Sequence, residues 1–325
     1  MDLSIVIPMF NESENAESTL NRVEEALTSF KGIYEIIAVN DGSLDNTLEI
    51  LNKLAEQDEK LKIVSYPKNI GRGMALRKGF QESKGEIIVS IDADLSYDPH
   101  YILDFAKTLR EEPDIDFVLA SPYMPGGGVQ NVPLHRLWVS KFGNKILRMA
   151  MPNRIYTSTG IFRAYRKKVL DSLEMESDGK EIHLEILSKA LALGYRVKES
   201  PAILTSRKRG KSKFKFKKTA ISHLVFSVFE KPMIIFGFIG LLTLTIGFLI
   251  GIYIAYLRFS GDLTPGRPLI TFALLLILGG FQILSFGFIA IQIVSLRKEI
   301  LRIQRGNLEL RKEISSSQGK REWGE

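Results

Sequence analysis

Glu12, Asp41, Asp92 and Asp94 each end or closely follow a short run of apolar, largely β-branched residues, so that acidic chemistry recurs where strands should stop. Carboxylates gathered at one sheet edge would repel a phosphorylated ligand unless a divalent cation lay between them. Asp92-Ala93-Asp94 has the spacing for that role: in an extended segment, residues two apart face the same side, and either carboxylate can reach a metal ion or a ribose. Asp is also an ordinary turn former, so this pair alone is equally well explained by a strand-end turn; its coincidence with Glu12 and Asp41 favours a site. His100, His135, His183 and His223 show no ligand spacing, and cysteine is absent, so any metal in this chain must be held mainly by oxygen and no thiol nucleophile exists.

The elements needed to position these groups follow from periodicity. Strands are expected at 3–8, 35–41, 61–67, 86–94 and 116–123, with helices between them at 14–30, 45–58, 74–83 and 99–111, and Asp45 and Asp98 as N-caps. This order predicts an α/β fold: a Rossmann-like, mostly parallel sheet with flanking helices, which binds ligands beyond the carboxyl ends of its strands. The segment after the first strand, Pro8-Met9-Phe10-Asn11-Glu12, lacks the glycines that a dinucleotide pyrophosphate requires, which argues against a redox enzyme. Gly71 and Gly73, after the third strand, would ease a turn or admit a nucleotide to the backbone. Residues 124–132, with Gly126, Gly127 and Gly128, read as an active-site loop. A second subregion follows, with a helix at 134–151, a strand at 155–165, a helix at 181–193 and a strand at 195–201. Glu185, on an apolar helix face, is either half of a buried ion pair or a group near the ligand.

Hydropathy divides the remainder. The 325-residue chain is 45% hydrophobic and 25% charged with a net charge of +7, and the location of that charge is informative. Residues 232–257 and 268–296 contain no Lys, Arg, Asp or Glu, and each exceeds the roughly 20 residues that span a bilayer. We expect a transmembrane hairpin over 232–296. Basic residues crowd its outer ends: Arg207, Lys208, Arg209, Lys211, Lys213, Lys215, Lys217 and Lys218 before it, and Arg297, Lys298, Arg302 and Arg305 after it, against Arg258 and Arg267 between the spans. The positive-inside bias puts residues 1–214 and the charged tail 297–325 in the cytoplasm. Residues 215–231 contain an interfacial amphipathic helix at 220–230, and 315–325 is expected to be disordered. The apolar start of the chain, flanked by Asp2 and Glu12, reads as a strand and not a signal peptide. The basic run lacks interleaved aromatic platforms for bases and borders a hairpin, which favours membrane lipids over nucleic acid.

Ile7-Pro8-Met9-Phe10-Asn11-Glu12, Val39-Asn40-Asp41-Gly42-Ser43, Asn69-Ile70-Gly71-Arg72-Gly73, Asp92-Ala93-Asp94-Leu95, Arg136, Thr159-Gly160, and Arg207 with Gly210, Ser212 and Lys213 occur in this order ahead of two spans. In this the chain resembles the inverting GT-A glycosyltransferases of family 2 that include dolichol-phosphate mannose synthases and bacterial polyprenyl-phosphate glucosyltransferases. The resemblance covers nearly the whole chain. It implies that a sugar passes from a nucleotide-diphosphate sugar, GDP-mannose or a UDP-hexose, to a polyprenyl or dolichyl phosphate with Mg2+ or Mn2+ present. It implies further that Pro8, Phe10, Glu12, Val39 and Asp41 surround the nucleotide, that Asp92, Asp94 and Ser96 hold the metal, that Arg136 and Ser140 meet the acceptor phosphate, and that Arg207 and Lys213 clamp a phosphate. Homo-oligomerisation stays open.

The chain departs from the mannose synthases at Ser121-Pro122-Tyr123, where an Arg is usual, at Tyr156-Thr157-Ser158-Thr159-Gly160-Ile161, where an Asp is usual, and at Ser96, where Gln is common. The sugar is therefore not assigned from the resemblance. A processive polysaccharide synthase would need more spans and a Gln-x-x-Arg-Trp motif; the alternatives that stay are a different glycan acceptor or a non-catalytic nucleotide-binding scaffold at the membrane.

Overall fold

The computed structural model describes residues 1–131, 155–205, 232–261 and 268–322. The chain forms two compact units, Met1–His223 with Leu301–Glu325, and Leu224–Ile300. The first is built on strands β1 (Leu3–Met9), β2 (Tyr34–Asp41), β3 (Leu61–Tyr66), β4 (Ile87–Ser90), β5 (Phe117–Ser121), β6 (Gly128–Gln130), β7 (Arg163–Arg166), β8 (Val197–Pro201) and β9 (Ile203–Thr205). Its helices are α1 (Ala16–Leu27), α2 (Thr47–Ala55), α3 (Arg72–Glu82), α4 (Tyr101–Glu111), α5 (Lys167–Asp171) and α6 (Ile182–Ala192). Seven strands form one sheet in the order β3-β2-β1-β4-β7-β5-β8, with β7 antiparallel to both neighbours, while β6 and β9 pair separately in parallel.

Strands β1, β4 and β5 are mostly apolar because both of their faces are covered, with Ser4, Ser90 and Ser121 as buried polar exceptions. Leu3, Ile5, Ile7 and Met9 join the core beneath α1 and α4, whereas Val6 points the other way, where a Cβ on Gly79 of α3 would lie 2.3 Å from its Cγ1. Glycine lets α3 approach the sheet that closely. Pro8, which donates no backbone hydrogen bond, lies beyond the last β1–β4 pair, Val6 with Ser90.

Several expected elements change extent. Strand β4 stops at Ser90 instead of 94, because the chain turns at Asp92. Of the strand expected at 155–165 only Arg163–Arg166 forms; residues 155–162 spend their backbone groups on side chains, as when Glu199 accepts both the Tyr156 and Thr157 N–H groups, at 2.8 and 2.9 Å. The glycine loop at 124–132 contains β6, which gains order from β9. Asp45 and Asp98 precede the cap positions, held by Asn46 and His100, and accept the backbone N–H two residues on, at 3.0 Å in each case. The expected helices at 134–151 and 220–230 lie outside the described residues.

In the second unit, α7 (Pro232–Phe259) and the first part of α8 (Pro268–Glu322) are long and apolar enough to cross a membrane, over Ile235–Phe259 and Pro268–Leu296. They pack through glycine: a Cβ on Gly240 would stand 3.1 Å from the Gly280 carbonyl oxygen, and one on Gly280 3.0 Å from that of Gly240. The disorder expected at 315–325 is corrected over 315–322 by α8, which continues to Glu322; 323–325 lie outside the described residues. No proline interrupts 297–322, and adding residues to a helix already nucleated is far easier than starting one.

Candidate active site

The loops after β1 and β2 are stitched together. Asn11 takes a left-handed backbone conformation, φ 51°, which asparagine tolerates; its N–H donates to Ser43 Oγ at 2.9 Å and its Oδ1 accepts from the Leu44 N–H at 2.7 Å. The Glu12 N–H donates to Thr47 Oγ1 at 2.8 Å, and the Ser13 N–H to Asp45 Oδ2 at 3.2 Å. The Glu12 carboxylate accepts from Asn15 Nδ2 at 2.7 Å. Pro8 and Phe10 are half-buried beside this seam. Val39 is fully buried under α3 and offers no exposed surface.

Asp41, at the end of β2, is almost as deeply buried. Its carboxylate accepts from Asn69 Nδ2 at 2.8 Å, from the Ile70 N–H at 2.9 Å and from the Gly71 N–H at 3.2 Å. The loop between β3 and α3 is thus hung on Asp41, and the helix that follows begins with Arg72.

Asp92 and Asp94 sit in a turn, not in the extended segment expected for them. The Leu95 N–H donates to the Asp92 carbonyl at 3.2 Å, Leu95 has φ 48°, and Thr19 Oγ1 donates to the Ala93 carbonyl at 2.5 Å. Asp94 Oδ1 accepts the Ser96 hydroxyl at 2.5 Å and the Ser96 N–H at 3.1 Å. Asp92 Oδ1 pairs with Arg72 Nη2 at 2.9 Å. Burial pushes the Asp92 carboxyl up to about 6, and Asp94 and Glu12 add to the rise, while Arg72 and Lys180 oppose it. The Ser96 carbonyl in turn accepts the Thr205 N–H, at 2.8 Å, and the Thr205 hydroxyl, at 3.1 Å.

Sequence reasoning did not assign Arg72 or Lys180 to the site. Arg72 had a signal, since it opens a helix right after a strand-end glycine. Lys180 had none, because tertiary packing brings it in. Asp178 O accepts the Gly73 N–H at 2.7 Å and the Met74 N–H at 3.3 Å, and the Arg77 guanidinium bonds the Met175 carbonyl at 2.8 Å and the Asp178 carboxylate. A Cβ on Gly73 would lie 2.2 Å from Ser177 O, so the close approach that Gly73 permits is that of the 177–179 backbone. Glu185 is the buried ion-pair partner of Lys189, at 2.6 Å, and also accepts the Glu176 and Ser177 N–H groups at 2.9 and 2.8 Å. It fixes the segment that delivers Lys180.

The donor set suits a hard divalent cation: two carboxylates and a hydroxyl at one turn, with Asp94 raising the cost of ionising Asp92. Among the described residues no three His, Asp or Glu side chains converge as a ready metal cluster, so further oxygens would have to come from a ligand. Arg136, Ser140, Arg207 and Lys213 lie outside the described residues.

Residues 4–174 match the model of glycosyl transferase family 2. The chain is 34% identical over 219 residues to a dolichol-phosphate mannosyltransferase of Pyrococcus furiosus, covering 67% of this chain and 60% of that protein. It thus spans less than two thirds of that relative's length. It is 29% identical to an uncharacterized glycosyltransferase of Synechocystis, over 89% of both chains. Glucosyl-3-phosphoglycerate synthase from Mycobacterium tuberculosis, solved with Mn2+, uridine diphosphate and glucosyl-3-phosphoglycerate, superposes with a TM-score of 0.51 at 20% identity, covering 70% of this chain and 79% of that one; this likeness shows the shared fold.

Proposed function

Because this chain belongs to glycosyl transferase family 2, we propose that it transfers a sugar from a nucleotide sugar and that its acceptor is a polyprenyl or dolichyl phosphate held at a membrane. The lead support is the anchoring of Thr205 on the Ser96 carbonyl beside the Asp94 carboxylate turn, two residues in sequence before the basic run that starts at Arg207. The apolar helices α7 and α8 and the identity to a dolichol-phosphate mannosyltransferase support the lipid.

In this reading Pro8, Phe10, Glu12, Val39 and Asp41 form the nucleotide end, with Asp41 acting through the 69–71 loop it holds and Val39 as the wall behind. Asp92, Asp94 and Ser96 would hold Mg2+ or Mn2+, which neutralises charge on the departing nucleoside diphosphate. Arg207 and Lys213 orient the phosphates, and Arg136 with Ser140 grips the acceptor. The lipid phosphate oxygen attacks the anomeric carbon from the face opposite the diphosphate, the bond to the diphosphate breaks, and configuration inverts. A phosphate is already anionic near pH 7, so the protein supplies positioning and charge stabilisation and needs no general base.

The test is transfer by the full chain in detergent, with GDP-mannose and UDP-hexoses as donors and polyprenyl phosphate, polyprenol or 3-phosphoglycerate as acceptor. Polyprenyl phosphate alone should be glycosylated. Arg136→Ala should lower transfer by roughly a hundredfold or more with donor affinity kept, and Arg136→Lys should recover part, since a point charge lacks the guanidinium fork. Efficient transfer to polyprenol or 3-phosphoglycerate would refute the acceptor.

A further inference from the structure

The Asp92–Asp94 turn is already partly neutralised by the protein itself. Arg72 stands 2.9 Å from Asp92, the very carboxylate a cation would use. Arg72 is fixed there from both directions: Asp41 holds the Ile70 and Gly71 N–H groups before it, and the Asp178 carbonyl holds the Gly73 and Met74 N–H groups after it. Lys180 follows two residues behind that carbonyl. Its ammonium pKa is held below its ordinary value, by burial first and by Arg72 next, while Asp92 and Asp94 pull it the other way. Arg72 is therefore paired with Asp92, and Lys180 lies within electrostatic reach of the same carboxylate pair on the segment docked against Gly73.

A divalent cation arriving alone must displace Arg72 from Asp92 and settle beside two positive side chains. A nucleoside diphosphate arriving alone meets Asp92 and Asp94, whose charges repel it. Arriving together, the cation takes the carboxylates and the diphosphate takes the released guanidinium and the ammonium, so each favours the other by the same factor. We infer that Arg72 is an internal placeholder for the cation at Asp92 and, with Lys180, a diphosphate-binding pair that makes cation and donor binding cooperative. This rests on the metal and donor assignment proposed above and adds to it residues that assignment does not contain.

The experiment measures Mn2+ binding by electron paramagnetic resonance without nucleotide, and UDP and GDP binding by calorimetry at saturating Mn2+, on full-length protein in detergent. Arg72→Met should bind Mn2+ alone more tightly than wild type yet bind the better of UDP and GDP more weakly, each by about tenfold, the scale of one charge-assisted hydrogen bond. Arg72→Lys, a milder change, should shift both in the same directions by less. Lys180→Met should weaken the nucleotide without weakening Mn2+. Equal Mn2+ affinity in wild type, Arg72→Met and Arg72→Lys, or a parallel loss of Mn2+ and nucleotide, would overturn the placeholder. Asp92→Asn separates the two levels: if it binds Mn2+ like wild type, the metal assignment fails before the placeholder is reached.

Discussion

Asp92 and Asp94 carry the sharpest predictions at the scale of single residues, because they occupy one turn and yet serve different partners. Among the described residues Asp94 hydrogen-bonds only locally, to the Ser96 hydroxyl and N–H, so Asp94→Ala should leave the fold intact while transfer falls by a hundredfold or more, the scale of losing one charge-stabilising group. A radiolabelled-donor assay beside a thermal melt checks this; full turnover in EDTA would contradict it. Asp92 is the opposite case, a group the fold would be more stable without. Its folded pKa, about 6, lies above the ordinary 3.8, so the native state binds the extra proton and stability falls as pH rises from the ordinary value to about 6, then levels. Asp92→Asn should therefore raise Tm by a few degrees at pH 7, and the gain should disappear near pH 4, where the native carboxyl is protonated anyway. Melting of wild type and variant across that range decides it. An unchanged difference at both pH values would mean that the Asp92 proton is not the source. Asp92 and Asp94 were legible in the sequence as a candidate site because they recur with Glu12 and Asp41 where strands end. Lys180 was not: it sits in a polar stretch, and only the 178–179 backbone docking on α3 makes it a neighbour of Asp92.

At the scale of elements, the segment before α6 and the first turn of α3 act as one unit, and Gly73 is its narrowest point. A methyl group there meets backbone, Ser177 O at 2.2 Å, which no side-chain rotation relieves. Gly73→Ala should cost about 1–3 kcal/mol by overpacking and lower kcat/KM by displacing Lys180 and Arg72 together. Chemical denaturation reads the first effect and donor saturation curves the second. Wild-type values in both would show that the contact is slack. The strands β1, β2 and β5 were readable as mostly apolar runs because both of their faces are buried, and the edge strand β3, whose Ser65 is exposed, from Leu61, Ile63 and Val64. Residues 155–162 have Ile155, Ile161 and Phe162, as apolar as a strand, yet their path is decided by Glu199, distant in sequence, on the Tyr156 and Thr157 N–H groups, and by the nearby Arg163 donating to the Ser158 and Gly160 carbonyls at 2.6 and 2.7 Å. Periodicity cannot register a carboxylate or guanidinium that organises a loop from another element. The turn at Asp92 escaped for a related reason: Leu95 in a left-handed conformation is held by the Leu95–Asp92 bond and by burial of its side chain, not by any turn-forming residue type.

At the scale of the whole molecule, function requires that the sheet edge meet two substrates of opposite solubility, a nucleotide sugar in water and, in our reading, a lipid phosphate. Side chains on α7 and α8 such as Phe238, Phe248, Phe272 and Phe281 are more than half accessible, and in our reading lipid covers these apolar surfaces. In our reading the two apolar helices, separated by a short stretch of sequence, form a hairpin whose outer ends lie on one face of the bilayer, and the basic residues before and after them select which face. Each Lys or Arg is attracted to an anionic cytoplasmic leaflet and is costly to translocate, and the 207–218 run with Arg297, Lys298, Arg302 and Arg305 far outweighs Arg258 and Arg267. A cysteine introduced near Gly261 should therefore react with a membrane-impermeant maleimide in intact cells, and the absence of native cysteine makes the labelling unambiguous. Cysteines introduced at exposed Leu44 or near the C-terminus should react only after the membrane is opened. Labelling of the Leu44 position in intact cells would invert the orientation and cut the carboxylate turn off from cytosolic nucleotide sugars, which would leave the fold standing and remove the donor supply on which the proposed reaction depends.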